Sequence, residues 1–212
     1  MNKILILTAS IGSGHIKAAE AVETELRRLL PDAEITTVDF MARRISRIHC
    51  FMKDFYLMML AFVPNLYDVF YKLSGGSSGG TLVQNAFAWV MMPAMKKLVR
   101  RYEPDLVLCT HPFPEGAASL LRRHHEEHYR LATVMTDYSL HQIWLYPAVD
   151  RYYMATEEMR MGMISHGFAV NTLEVSGIPV ASVLQEMKDK AAVRRALAIP
   201  EGQPAVLLMG GG

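Results

Sequence analysis

The sequence predicts a mainly parallel α/β sheet with helices on both faces. Three observations lead there. Short apolar runs alternate with segments whose apolar residues fall at helical spacing, and the loops between them are short. Each run gives way to glycine, proline or polar residues, as buried parallel strands do at their ends. Hydrophobic residues make up 51% of the 212 and charged residues 20%, which supplies a full core and excludes a disordered chain.

The elements follow in order. Lys3 to Thr8 reads as a buried strand, broken by Gly12 and Gly14. From His15 to Leu30 the residues Ile16, Ala19, Val22, Leu26, Leu29 and Leu30 recur at helical spacing, and Pro31-Asp32 stops the helix. Glu34 to Phe40 is the next strand, so the start is a βαβ unit with a right-handed crossover. Residues 41 to 102 are helical in tendency, interrupted by the tract Ser74 to Gly80, whose composition is that of a mobile loop. Pro104-Asp105 restarts the alternation. Leu106 to Thr110 is a strand, Glu115 to His125 a helix and Ala132 to Thr136 a strand. Arg151 to Thr156 is a strand, Glu157 to His166 a helix and Thr172 to Val175 a strand that ends at Ser176-Gly177-Ile178-Pro179. A helix at about Val193 to Ala198 leads to a strand from Ala205 to Met209 and then to Gly210, Gly211 and Gly212. A glycine turn after a strand ordinarily opens a helix that holds a phosphate, so a second α/β domain is expected to begin here.

Charge and cysteine usage narrow the function. A formal net charge of +1 gives no case for a nucleic-acid binder. Cys50 and Cys109 stand far apart without zinc spacing, which excludes a disulfide scaffold or zinc module and fits reduced thiols. His124, His125 and His128 lack the H-E-x-x-H spacing and read as a solvated helix end. The balance hides an asymmetry. Between Met41 and Arg101 stand Arg43, Arg44, Arg47, Lys53, Lys72, Lys96, Lys97, Arg100 and Arg101, opposed by Asp54 and Asp68 alone. This stretch also holds the densest apolar runs. It suits an anionic membrane surface, or equally a core helix pair with solvated basic flanks. No run reaches the roughly 20 apolar residues of a membrane span, and Lys3 to Leu7 is too short for a signal peptide.

The stretch Thr8-Ala9-Ser10-Ile11-Gly12-Ser13-Gly14-His15 carries the strongest chemical signal. Its glycines let a ligand approach the backbone, and the helix behind offers free N–H groups. Lys17 stands where a dinucleotide fingerprint needs glycine, and no P-loop pattern is present, which disfavours a nicotinamide oxidoreductase. His15 at the helix start is kept near neutral and can take a proton; the rival reading is a histidine that caps the turn. Asp137, Tyr138, His141 and Trp144 cluster just past a strand end, where open α/β sheets build sites. Asp137 can orient a base or bind a hydroxyl, or else cap a helix with Trp144 in the core. His111 follows another strand in the same way.

Taken in order, Gly-Ser-Gly-His, Thr136-Asp137-Tyr138 with His141 and Trp144, Val175 to Val180, and Leu207 to Gly212 resemble the monogalactosyldiacylglycerol synthase and processive diacylglycerol glucosyltransferase family. That family is related to the lipid II-forming N-acetylglucosaminyltransferase. The resemblance covers essentially the whole chain. It implies a Rossmann-like sheet forming the N-terminal half of an inverting, metal-independent GT-B glycosyltransferase. Residues 1–180 would be the domain that binds lipid acceptor and membrane. Residues 181–212 would be a linker and the start of the UDP-sugar domain, with Gly210, Gly211 and Gly212 as its diphosphate loop.

The resemblance further implies His15 as catalytic base, with Asp137 orienting or replacing it. Gly12, Ser13, Gly14, His111, Tyr138, His141 and Trp144 would line the cleft. Arg43, Arg44, Arg47, Lys96, Lys97, Arg100 and Arg101 would face the membrane, which turns the open reading of the basic stretch toward lipid. The expected partners are diacylglycerol, an anionic membrane surface and UDP-glucose or UDP-galactose as a substrate, with no cofactor, metal or nucleic acid. The expected place is peripheral, on the cytoplasmic face of the cell membrane. This stretch alone is expected to transfer no sugar. A polyprenyl-linked acceptor and a lipid-binding subunit without catalysis are the alternatives.

Overall fold

The computed structural model describes residues 3–42, 78–125, 128–182 and 189–208. Six strands run parallel: β1 (Lys3–Thr8), β2 (Glu34–Asp39), β3 (Leu106–Cys109), β4 (Arg130–Val134), β5 (Arg151–Met154) and β6 (Leu173–Val175). Their order in the sheet is β2-β1-β3-β4-β5-β6. The chain moves outward from β1 to β2, then returns to the far side of β1 with β3. The point where the order reverses lies between β1 and β3, where Leu7 pairs with Cys109. This is a Rossmann-like parallel α/β fold.

Alternation along β1 shows both faces covered. Leu5 and Leu7 join one core cluster, and Ile4 and Ile6 join the other. The Ile4/Ile6 face packs on α1 (Ser13–Leu29) through Ala19, Val22 and Leu26, the helical spacing read from the sequence. The Leu5/Leu7 face packs on α2 (Ser78–Tyr102) and α3 (Pro112–His125). In α2, Ala88, Met91, Met95, Leu98 and Val99 form the buried stripe, while Trp89, Lys97, Arg100 and Arg101 stay exposed. Met159 and Met163 of α4 (Glu157–Ser165) extend this core, and Thr156 caps that helix by accepting the Met159 N–H at 3.3 Å.

Most strands and helices fall where the sequence places them, and the departures have physical reasons. The Ser74 to Gly80 tract is not loop throughout: Ser78, Gly79 and Gly80 form the first turn of α2. Each glycine there costs about 1 kcal/mol of helix propensity, which the packed residues further along the helix offset. Helix α3 starts at Pro112 rather than Glu115, because proline is tolerated in a first turn whose N–H groups have no helical partner. Strand β4 sits two residues earlier than the expected Ala132 to Thr136, which leaves Thr136 outside the sheet and free to turn toward β1. No strand forms at Ala205 to Leu208. Val206 is 92% exposed and Leu208 94%, and nothing in the described chain pairs with them. The short helix α5 (Lys190–Ala196) likewise has no buried residue. Arg43, Arg44, Arg47, Cys50, Gly210, Gly211 and Gly212 lie outside the described residues.

Candidate functional site

Because every strand is parallel, the turns after β1, β3 and β4 meet at one end of the sheet. The β1 turn is tied down by Asp39 at the end of β2, whose carboxylate accepts the N–H groups of Ser10 at 3.1 Å and Met41 at 3.0 Å. Gly12 then takes φ of +84°, a conformation L side chains rarely adopt, and starts α1. Ser13 and Gly14 open the helix, and the space a Cβ would occupy at Gly14 is empty to 4 Å. His15 follows in the first turn and points across the crevice toward β3.

There His15 Nδ1 lies 3.0 Å from the Thr110 carbonyl oxygen, and the Thr110 hydroxyl donates back to the His15 carbonyl at 3.0 Å. The Thr136 hydroxyl, after β4, closes on the same Nδ1. A carbonyl only accepts, so Nδ1 carries the proton and the neutral ring presents a lone pair at Nε2. The His15 pKa is lowered from its ordinary value. Burial is the largest cause; the Asp137 carboxylate and the Thr110 carbonyl oppose it. The sequence attributed a neutral histidine to the helix start, whereas burial in the crevice is what dominates here.

The other expected residues take distinct places. The His111 ring is buried beside His15, with centroids 4.5 Å apart. Trp144 is fully buried, 6.4 Å from the His15 ring, and its Nε1–H donates to Asp137 at 2.7 Å. Asp137 caps no helix. Trp144 holds its carboxylate, which acts on His15 through its charge, while Thr110 and Thr136 supply the contacts to Nδ1. Tyr138 is 76% exposed at the mouth, and His141 pairs through Nε2 with the Ser139 hydroxyl at 2.8 Å. Thr110 and Thr136, which make the contacts to His15, are positions of the candidate site that residue type alone did not pick out. The available signal was position, since each is a hydroxyl close behind a strand on the side of the sheet reversal.

The protein is thus a Rossmann-like α/β domain whose crevice, at the reversal of strand order, is built around a neutral histidine. The family model of monogalactosyldiacylglycerol (MGDG) synthase matches residues 15–180, and the chain belongs to that family. It is 28% identical over 210 residues to the processive diacylglycerol beta-glucosyltransferase of Staphylococcus saprophyticus, covering 99% of this chain and 52% of that protein. It is 30% identical over 179 residues to the enzyme of the same name from Staphylococcus aureus strain JH9, covering 84% of this chain and 44% of that protein. The chain spans about half the length of the curated relatives it matches. Solved structures resemble it more loosely. A UDP-GlcNAc 2-epimerase from Neisseria meningitidis has a TM-score of 0.48 at 13% identity, over 94% of this chain and 52% of that one. A lipopolysaccharide outer core galactosyltransferase has 0.47 at 13%, over 82% and 45%.

Proposed function

We propose that this chain is the acceptor-side half of an inverting diacylglycerol glycosyltransferase and that His15 is its base. The observation that carries the reading is the Nδ1 contact with the Thr110 carbonyl, which leaves Nε2 unprotonated in a partly desolvated crevice. A primary hydroxyl is a poor nucleophile at neutral pH, so a base must take its proton as it attacks. In the proposed step His15 Nε2 takes the acceptor's proton while the acceptor oxygen bonds to the anomeric carbon. The bond from that carbon to the UDP oxygen breaks in line, and the configuration inverts. The Asp137 carboxylate favours the imidazolium that forms. The relatives' names support diacylglycerol as acceptor and glucose as the sugar; UDP-glucose or UDP-galactose is the proposed donor. The GT-B architecture, with residues 1–180 as acceptor domain and the three terminal glycines as diphosphate loop, belongs to the same proposal.

The exposed face of α2 supports a peripheral membrane role. Trp89 and Val90 offer apolar surface, and Lys97, Arg100 and Arg101 follow on the same helix. Among the described residues no helix is long and apolar enough to cross a membrane. The proposed place is the cytoplasmic face of the cell membrane.

The test is transfer by the protein carrying this chain, given UDP-glucose or UDP-galactose and vesicles of diacylglycerol in phosphatidylglycerol. A glycosyl-diacylglycerol of inverted anomeric configuration is expected. Lipid binding without transfer would favour a non-catalytic subunit, and transfer only to a polyprenyl-linked acceptor would move the substrate class.

A further inference from the structure

We propose that His111 is a positioning residue for His15: its clamped ring is the wall that keeps Nδ1 on the Thr110 carbonyl and Nε2 free. The proposal rests on the reading of His15 as the base. His111 directly follows Thr110 in the turn after β3, so the carbonyl that holds His15 and the ring that flanks it come from adjacent residues. The His111 ring is itself fixed. Its Nδ1 accepts the Phe113 N–H at 3.1 Å, which places the proton on Nε2, and its ring centroid lies 4.9 Å from that of Phe113 with the planes tilted by 58°. Only 4% of the residue is exposed. Against this immobile ring the His15 imidazole sits at 4.5 Å and 65°, an edge-to-face contact.

The pair also settles where a proton goes. Two imidazolium rings at this distance in a desolvated crevice repel strongly. Burial first, and then His15, hold the His111 pKa well below its ordinary value. His15 is faced by the Asp137 carboxylate, which favours its charged form; His111 is faced by His15 and Phe113. Glu115, one turn further along α3, acts on Cys109 and Tyr152 instead. The single positive charge that the crevice accepts therefore falls on His15, and His111 stays a neutral wall. Removing the ring lets His15 rotate and admits water beside it.

Imidazole nitrogen NMR on the 15N-histidine-labelled chain, across a pH series, reads this directly. In the unsubstituted protein His15 is expected as one tautomer, protonated at Nδ1, with its midpoint below about 6.5. In His111→Ala both tautomers are expected, with the midpoint shifted up toward that value. His111→Phe restores a ring without the Nδ1 acceptor and should restore the single tautomer. If the alanine variant does not fold, His111→Asn, which offers an acceptor but no ring, should behave as alanine would. An unchanged His15 tautomer and midpoint in the folded Ala or Asn variant would overturn the proposal, and so would a Phe variant that behaves like Ala. Failure of the base assignment is a different outcome: turnover would survive loss of His15 while these spectra stayed as expected.

Discussion

His15 Nδ1 and the Thr110 carbonyl oxygen lie 3.0 Å apart across 95 residues of chain. The strand order makes this contact possible. β1 and β3 are neighbours in the sheet but separated in sequence, among the described residues, by α1, β2 and α2, so the turns that follow them face each other across the crevice. One carbonyl, which can only accept, thereby decides which nitrogen of His15 holds the proton and which keeps its lone pair.

Asp137 should tune His15 by charge and stabilise the crevice by its bond to Trp144. Asp137→Asn keeps an acceptor for the indole N–H at 2.7 Å but removes the charge that raises the His15 pKa. We expect a small change in Tm and a lower His15 midpoint by NMR. Trp144→Phe should do the reverse to stability. It removes a donor to a carboxylate, costing about 1.5–3 kcal/mol measured by denaturant unfolding. In the catalytic protein, combining Asp137→Asn with loss of His15 should cost less than the product of the two alone.

Glu115 gives a pH signature separate from that of His15. Its carboxyl is fully buried, and burial raises its pKa well above the ordinary 4.5. The Tyr152 and Thr133 hydroxyls pull the other way, but neither completes a hydrogen bond, and the Tyr152 proton goes to the Tyr146 carbonyl at 2.6 Å. A group with a raised folded pKa contributes stability that is full below about 4.5 and is lost as pH rises toward the folded value. Glu115→Gln stays neutral at every pH. Its unfolding free energy should match the parent near pH 4 and exceed it near pH 7, by up to about 1.4 kcal/mol per pH unit within that window, with Tm rising accordingly. An advantage that is equal at both pH values would show that ionisation is not the cause.

The histidines act in the opposite sense. His15 and His111 both have lowered pKa values, so they are neutral in the fold and charge more readily when it opens. Their contribution is full above about 6.5 and is lost as pH falls through the folded values. Replacing His111 by Phe should flatten the fall in Tm between pH 6.5 and 5, as followed by circular dichroism.

The strands and helix faces were legible because burial repeats in the sequence with the periods of the elements. Lys3 to Thr8 is apolar on both faces, as a central strand must be. His15 was legible because glycine before a helix is a local signal. Its partners were not, since Thr110 and Thr136 reach it only through the order of strands, which no local pattern encodes. The strand expected at Ala205 to Met209, described as far as Leu208, shows the converse. An apolar run forms a strand only beside another strand, and these residues lie in solvent.

The basic face of α2 should bind anionic vesicles in a salt-sensitive way. Each basic residue near such a surface contributes on the order of 1 kcal/mol, screened by salt. Lys96, Lys97, Arg100 and Arg101→Ala together should weaken sedimentation with phosphatidylglycerol vesicles at low salt. Trp89→Ala, at a residue 49% exposed, should weaken binding about equally at low and high salt. Equal binding of neutral and anionic vesicles would remove the electrostatic part of the account.

Whether His15 takes the acceptor's proton is decided by kcat together with Tm for His15→Ala, measured on one preparation of the protein that performs transfer. Loss of a positioned base should lower kcat by roughly 10²- to 10⁴-fold. The stability loss should be limited to about one hydrogen bond, on the order of 1 kcal/mol, because the Thr110 hydroxyl still donates to the backbone carbonyl of residue 15. Vesicle binding should change little, because the basic residues of α2 are untouched. A His15→Ala protein that melts early yet turns over at nearly the normal rate would make His15 a structural cap of the β1 turn and contradict its role as the base.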